Sequence, residues 1–181
     1  MKPKPYPFLL LAVFFSMFIL SCKKEKNEEI PPSEQGIFIR INDGQWIKTG
    51  QALAQFYPEG SETYITGQVS KDGENAGSIV INWTGPEKIA NTYAWDNYGS
   101  NNFLYAERAG LNTVVYQEHY TTDNGSENSQ GQLKITKYGN VGETVSGTFI
   151  IEKSGIYGEG RTTAKIEGYF NARRIQNYSL K

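Results

Sequence analysis

From Gly36 onward, apolar residues recur at every second position in short runs, and each run stops near Gly, Asn, Asp or Pro. Period two is the period of a β-strand, whose successive side chains leave opposite faces. Ile37, Ile39 and Ile41 alternate with Phe38 and Arg40, and Asn42-Asp43-Gly44 then supplies residues that tolerate positive φ in a hairpin turn. Ile79, Ile81 and Trp83 share one face, with Val80 and Asn82 on the other. Val145, Gly147, Phe149 and Ile151 line one side of 144–152, and Ala164, Ile166, Gly168 and Phe170 line one side of 161–173. A strand is expected over 113–120, and polar loops over 96–102 and 122–130. About ten strands at a spacing of roughly 8–12 residues predict an antiparallel sandwich or barrel. Connections this short argue against parallel sheets, which need crossovers of about a dozen residues or more. After residue 22 no window sustains helical recurrence beyond about two turns. The expected fold is all-β with short turns and no substantial helix, in one domain over 36–181.

Composition agrees. Nineteen glycines and twelve tyrosines, with few alanines and leucines in the body, suit strands and tight turns. Cys22 is the only cysteine, so the chain forms no internal disulfide and offers no cysteine-based zinc site. Past residue 21 the chain carries 16 basic and 19 acidic residues. A weakly acidic chain lacks the basic footprint of a nucleic-acid binder.

The N-terminus predicts export. Lys2 and Lys4 precede thirteen largely apolar residues, Phe8 to Leu20, which run into Ser21-Cys22. As a helix that stretch rises only about 20 Å against roughly 30 Å of hydrocarbon, which is short for a permanent span. A basic start, a short apolar run and a small residue before the cut are the anatomy of a secretory signal. Residues 23–35, KKEKNEEIPPSEQ, hold one apolar residue and two prolines, too little apolar surface to offset their ordering entropy. They are expected to form a mobile tether.

Ile19-Leu20-Ser21-Cys22 resembles the lipobox of bacterial lipoproteins. That resemblance implies a signal peptide over 1–21 and lipid attachment, palmitate among the acyl chains, at Cys22. Lys23-Lys24-Glu25 and Glu28-Glu29 resemble the signal that sends lipoproteins of the Bacteroidota to the cell surface. The implied location is the cell envelope, lipid-anchored in the outer membrane, facing either the surface or the periplasm. Within the domain, Phe38-Ile39-Arg40-Ile41-Asn42 with Gly44 and Trp46, Val145-Ser146-Gly147-Thr148-Phe149, and Ile166-Glu167-Gly168-Tyr169-Phe170 resemble a family of small Bacteroidota lipoproteins of unknown function. This implies an exported all-β domain and no catalytic residues. Gly44-Gln45-Trp46 also resembles the Gly-x-Trp of lipocalin-like barrels, although a turn glycine followed by a core tryptophan explains it as well.

Candidate chemistry is sparse. His119 is the only histidine, so a histidine-based zinc site lacks ligands and a serine triad would have to use this one residue. Its strand context predicts a sheet-surface side chain. A glycosidase needs only two acids, and Asp96, Glu107, Glu118, Glu143, Glu152, Glu159 and Glu167 are available, mostly at loop or outward positions. The Asp-rich turns at 72–75, 96–99 and 123–127 lack the D-x-[DN]-x-[DN]-G spacing that wraps calcium, and turn chemistry accounts for them.

The aromatics carry the remaining signal. Trp83, Tyr93, Trp95, Tyr98, Phe103 and Tyr105 fall close together around 96–102. Aromatic faces stack on sugar rings and flat apolar ligands, while Asn and Asp beside them bond hydroxyls. Trp83, Tyr93, Trp95 and Tyr98 are therefore candidate ligand contacts, with core packing as the competing explanation. The expected function is a non-catalytic envelope binding module for a glycan or small apolar ligand, without cofactor or metal. The alternative is a structural or protein-interaction lipoprotein, and a glycoside hydrolase is the more remote one.

Overall fold

The computed structural model describes residues 33–71, 75–96, 100–109, 112–122, 125–157 and 162–179. These contain thirteen strands and no helix. In chain order they are β1 (Gly36–Ile41), β2 (Ile47–Lys48), β3 (Ala52–Tyr57), β4 (Glu62–Lys71), β5 (Asn75–Thr84), β6 (Thr92–Ala94), β7 (Asn101–Ala109), β8 (Asn112–Gln117), β9 (His119–Thr122), β10 (Gly125–Asn128), β11 (Gly131–Tyr138), β12 (Thr144–Tyr157) and β13 (Thr162–Arg174). The all-β expectation holds, with three more strands than the apolar pattern predicts. The surplus comes from short elements. β9 and β10 pair as a separate hairpin, so much of the expected loop 122–130 is strand. All four residues of β10 are exposed, and a strand with no buried face leaves no apolar alternation to read.

β12 and β13 organise the rest. They are the longest strands and pair along almost their whole length, from Thr144↔Arg173 to Ile156↔Thr162. Each is shared between two neighbours on its other edge. β12 pairs with β11 over 145–151 and with β8 over 155–157, and a register shift between Ile151 and Ser154 separates the two pairings. β13 pairs with β1 over 166–171 and with β3 at Arg173 and Arg174. Seven strands thereby close a circuit, β13-β3-β4-β5-β7-β8-β12, and β1-β2 and β11-β6 extend from it as flaps. The result is a barrel-like closed sheet whose two opposing halves, or layers, pack face to face. The β3–β13 contact is parallel, contrary to the sequence expectation. Its partners come from opposite ends of the domain, so most of the domain serves as the crossover and no short one is needed.

Side-chain alternation explains why the layers face each other. Ile65, Ile79, Ile81, Trp83, Phe103 and Tyr105 point inward from one layer; Ile37, Ile39, Leu133, Val145, Phe149, Ile166 and Phe170 point inward from the other. Trp83 stacks on Phe170 with ring centroids 6.5 Å apart, and Phe103 lies 5.4 Å from Phe149. The turn after β1 forms as its residues predict. Asn42 and Asp43 take φ of 48° and 58°, and the Gly44 N–H donates to the Ile41 carbonyl at 2.9 Å. Positive φ at both central residues marks a type I′ turn.

One end of the core is closed by Arg174. It is fully buried, donates to the Gly139 carbonyl at 3.1 Å and to Asn177 Oδ1 at 2.7 Å, pairs with Glu87, and lies over the Tyr138 ring. The Arg174 hydrogen bond holds the Glu87 carboxyl below its usual range, which keeps the pair ionised as the solution becomes acid. A buried arginine is tolerable only with such partners.

Candidate functional site

The aromatic cluster read from the sequence divides once the chain folds. Trp83 is completely buried, with Tyr93 and Tyr138 against its ring in addition to Phe170. Trp95 is also buried; its indole N–H donates to the Ile150 carbonyl at 2.7 Å, and its ring meets Phe103 and Phe149 edge-on. Tyr93 packs partly buried against the same core, its pKa raised chiefly by burial. These three side chains fill the space between the layers, so they present no outward platform. Tyr98 and Cys22 lie outside the described residues.

Glu118 also departs from its outward expectation. The β7–β8 ladder stops at Leu104↔Gln117, so the N–H of Phe103 loses the carbonyl that a continued strand would have supplied. The Glu118 side chain turns inward to replace it, accepting that N–H on Oε2 at 2.9 Å. Its Oε1 lies 3.0 Å from His119 Nδ1, so the histidine leans on a buried carboxylate and is only partly exposed. Both carboxylate oxygens are thus committed to holding the break between β8 and β9. No group of three or more His, Cys, Asp or Glu among the described residues is placed to hold a metal ion.

A different surface gathers binding chemistry: the outer face of β1, β13, β12 and β11. Side chains that point away from the core on these strands form ladders across the face. Phe38, Tyr169 and Thr148 occupy one rung, with Lys134 beyond them. Asn171, Ser146 and Lys137 occupy the next, and Arg173 and Thr144 the one after. On the first rung Phe38 stacks on Tyr169 at 4.5 Å with an interplanar angle of 17°. Trp46, from the segment entering β2, tilts against Tyr169 at 5.3 Å and remains 41% exposed. The Arg40 guanidinium sits 5.0 Å from the Trp46 ring and pairs with Glu167, fixing that end of the strip. Trp46 is therefore not the core residue its neighbouring turn glycine suggested.

Beside this strip lies a polar pocket of about 430 Å³. Lys137, Glu143, Thr144, Ser146, Asn171 and Arg173 are among the residues that line it. Its size falls within the usual range for small-molecule sites, roughly 300–1,000 Å³, though its lining is more polar than most. No protein-family model matches the chain, nor does any curated protein or solved structure. The geometry alone therefore carries the functional reading.

Sequence reasoning passed over this surface because it looked for aromatics close together in the chain. Trp46 and Tyr169 are remote in sequence and meet only because β1 pairs with both β2 and β13. A usable signal was present. Thr144, Ser146 and Thr148 place a hydroxyl at the first three outward positions of β12, and Tyr169, Asn171 and Arg173 occupy the outward parity of β13.

Proposed function

We propose that this protein is a lipid-anchored, non-catalytic envelope module that binds a glycan on the outer face of β1, β13 and β12. The exposed Trp46, held in place against Tyr169 beside a pocket of hydroxyl and amide groups, carries this reading. Sugar rings present apolar CH faces and a fringe of hydroxyls. An aromatic plane with neighbouring donors and acceptors complements both. Residues preset by packing also lose little conformational freedom when a ligand arrives. Phe38 beneath Tyr169 and Arg40 against Trp46 provide that presetting here.

Tryptophan fluorescence tests this on the full chain. Trp83 and Trp95 are buried, so a change in emission or in acrylamide quenching on adding oligosaccharide should come from Trp46. Trp46→Ala and Tyr169→Ala should each weaken oligosaccharide binding, measured by calorimetry, by about tenfold, equivalent to about 1.4 kcal/mol. Unchanged affinity in both variants would refute the site.

The anchor belongs to the same proposal. Acyl chains on Cys22 hold the protein to the membrane, and residues 23–32 let the domain stand away from it. The expected tether is shorter than 23–35, because Glu34 pairs with Lys48 and its carbonyl accepts from Asn171. Each buried CH₂ contributes about 0.8 kcal/mol, so several chains hold far better than one. Cys22→Ser should abolish incorporation of labelled palmitate in cells; normal labelling of that variant would contradict the anchor.

A further inference from the structure

We infer that the pocket beside the aromatic strip selects an acidic sugar, seating a carboxylate, phosphate or sulfate group between Lys137 and Arg173. This rests on the glycan reading and names the class of glycan. Three observations lead to it.

The first is convergence. Lys137 stands on β11 opposite Ser146, and Arg173 stands on β13 opposite Thr144, with β12 between them. Two strand spacings and an offset of two residues put their backbones about 12 Å apart on the sheet. Both side chains line the one pocket, so an anion at its centre lies within reach of each.

The second is charge. Arg40 and Lys165 on this face pair with Glu167, and Lys48 with Glu34, while Lys134, on the rung beyond the strip, pairs with no described residue and does not line the pocket. Lys137 and Arg173 form no ion pair or hydrogen bond through their side chains with any described residue. Glu143 lines the same pocket, and its Oε2 accepts the Asn140 N–H at 2.7 Å. Two cations against this one carboxylate leave the pocket net positive, and an anion seated between Lys137 and Arg173 is attracted to both.

The third is donor chemistry. The hydroxyls of Thr144 and Ser146 likewise have no partner among the described residues, and they lie between the two cations. An arginine fork, an ammonium and two hydroxyls are a fitting donor set for an oxyanion with several lone pairs. Tyr169 and Arg173 are four residues apart on one strand, so the stacking strip and the anion seat are separated by about 13 Å. An oligosaccharide reaches both, with one ring stacked on the strip and an acidic ring in the pocket. A lone inorganic anion engages only half of this surface.

Calorimetry on the full chain in detergent tests the inference with defined probes. These are tri-galacturonate, its fully methyl-esterified form, maltotriose phosphate and inorganic phosphate. The acidic trisaccharide should bind at least about tenfold more tightly than its ester, and added salt should weaken the acid alone. In the double variant Lys137→Gln/Arg173→Gln the advantage of the acid over the ester should fall to less than about twofold, with the thermal midpoint unchanged. Trp46→Ala should weaken acid and ester alike. Tighter binding of either the uronide or the phosphorylated sugar supports the inference, and the better of the two identifies the acidic group. Equal binding of acid and ester overturns the anion seat and leaves the glycan reading standing. Binding of inorganic phosphate as tightly as any sugar, or of no probe at all, overturns both.

Discussion

Gly168→Val should cost about 3 kcal/mol or more of folding stability, at the upper end of what overpacking a core exacts. The cause is a reciprocal arrangement in the longest pairing of the fold. β12 carries Gly147-Thr148-Phe149 and β13 carries Gly168-Tyr169-Phe170, and the register sets Gly147 opposite Phe170 and Phe149 opposite Gly168. Each phenyl ring therefore lies over the glycine of the facing strand. A Cβ at Gly168 would sit 2.5 Å from Phe149 Cζ and against the Phe38 carbonyl oxygen; one at Gly147 would sit 2.6 Å from Phe170 Cζ. The backbone carbonyls cannot yield without opening the ladder, and the rings cannot yield without displacing Phe103 and Trp83 behind them. Urea titration of Gly168→Val against Gly50→Ala makes the comparison. A Cβ at Gly50 meets nothing within 4 Å, so that variant should stay within about 0.5 kcal/mol of the parent. Equal midpoints for the two variants would show that the ring-over-glycine packing carries no weight.

Trp83→Ala should cost about 3–5 kcal/mol, the range for emptying a large aromatic site in a core. Trp83 touches both layers, through Phe170 on β13, Tyr138 on β11 and Tyr93 on β6. Those neighbours are strand residues fixed by their ladders, so the site cannot collapse far and most of the cavity persists. Domains are stable by only about 5–15 kcal/mol, so this variant should be largely unfolded at modest urea concentration. The exposed Trp46→Ala should shift the same transition by less than about 1 kcal/mol. Near-equal losses for the two tryptophans would contradict the division into core and surface described here.

That division shows how far the sequence could be read. Strand content was legible because a sheet with one buried face writes its period directly into the chain. The Ile37-Ile39, Ile79-Ile81-Trp83 and Val145-Phe149-Ile151 alternations all became inward-facing rows. The Asn42-Asp43 turn was legible for a local reason, since few other residues accept positive φ. The hairpin of β9 and β10 was not, because its second strand is exposed on both faces. The break after Gln117 was hidden too. Only the folded chain shows that β8 leaves β7 there and that a carboxylate takes over a backbone bond.

The site divided along the same line. Closeness in sequence brought Trp83, Tyr93 and Trp95 together in space, and the place where they meet is the core. Alternation determined that the chain forms two-faced strands and which side of each is apolar, because that depends on neighbouring residues alone. Register and strand order depend on pairing between residues from about twenty to more than a hundred positions apart. The fold alone decided that Trp46 meets Tyr169, that Phe149 covers Gly168, and that Lys137 and Arg173 share one pocket.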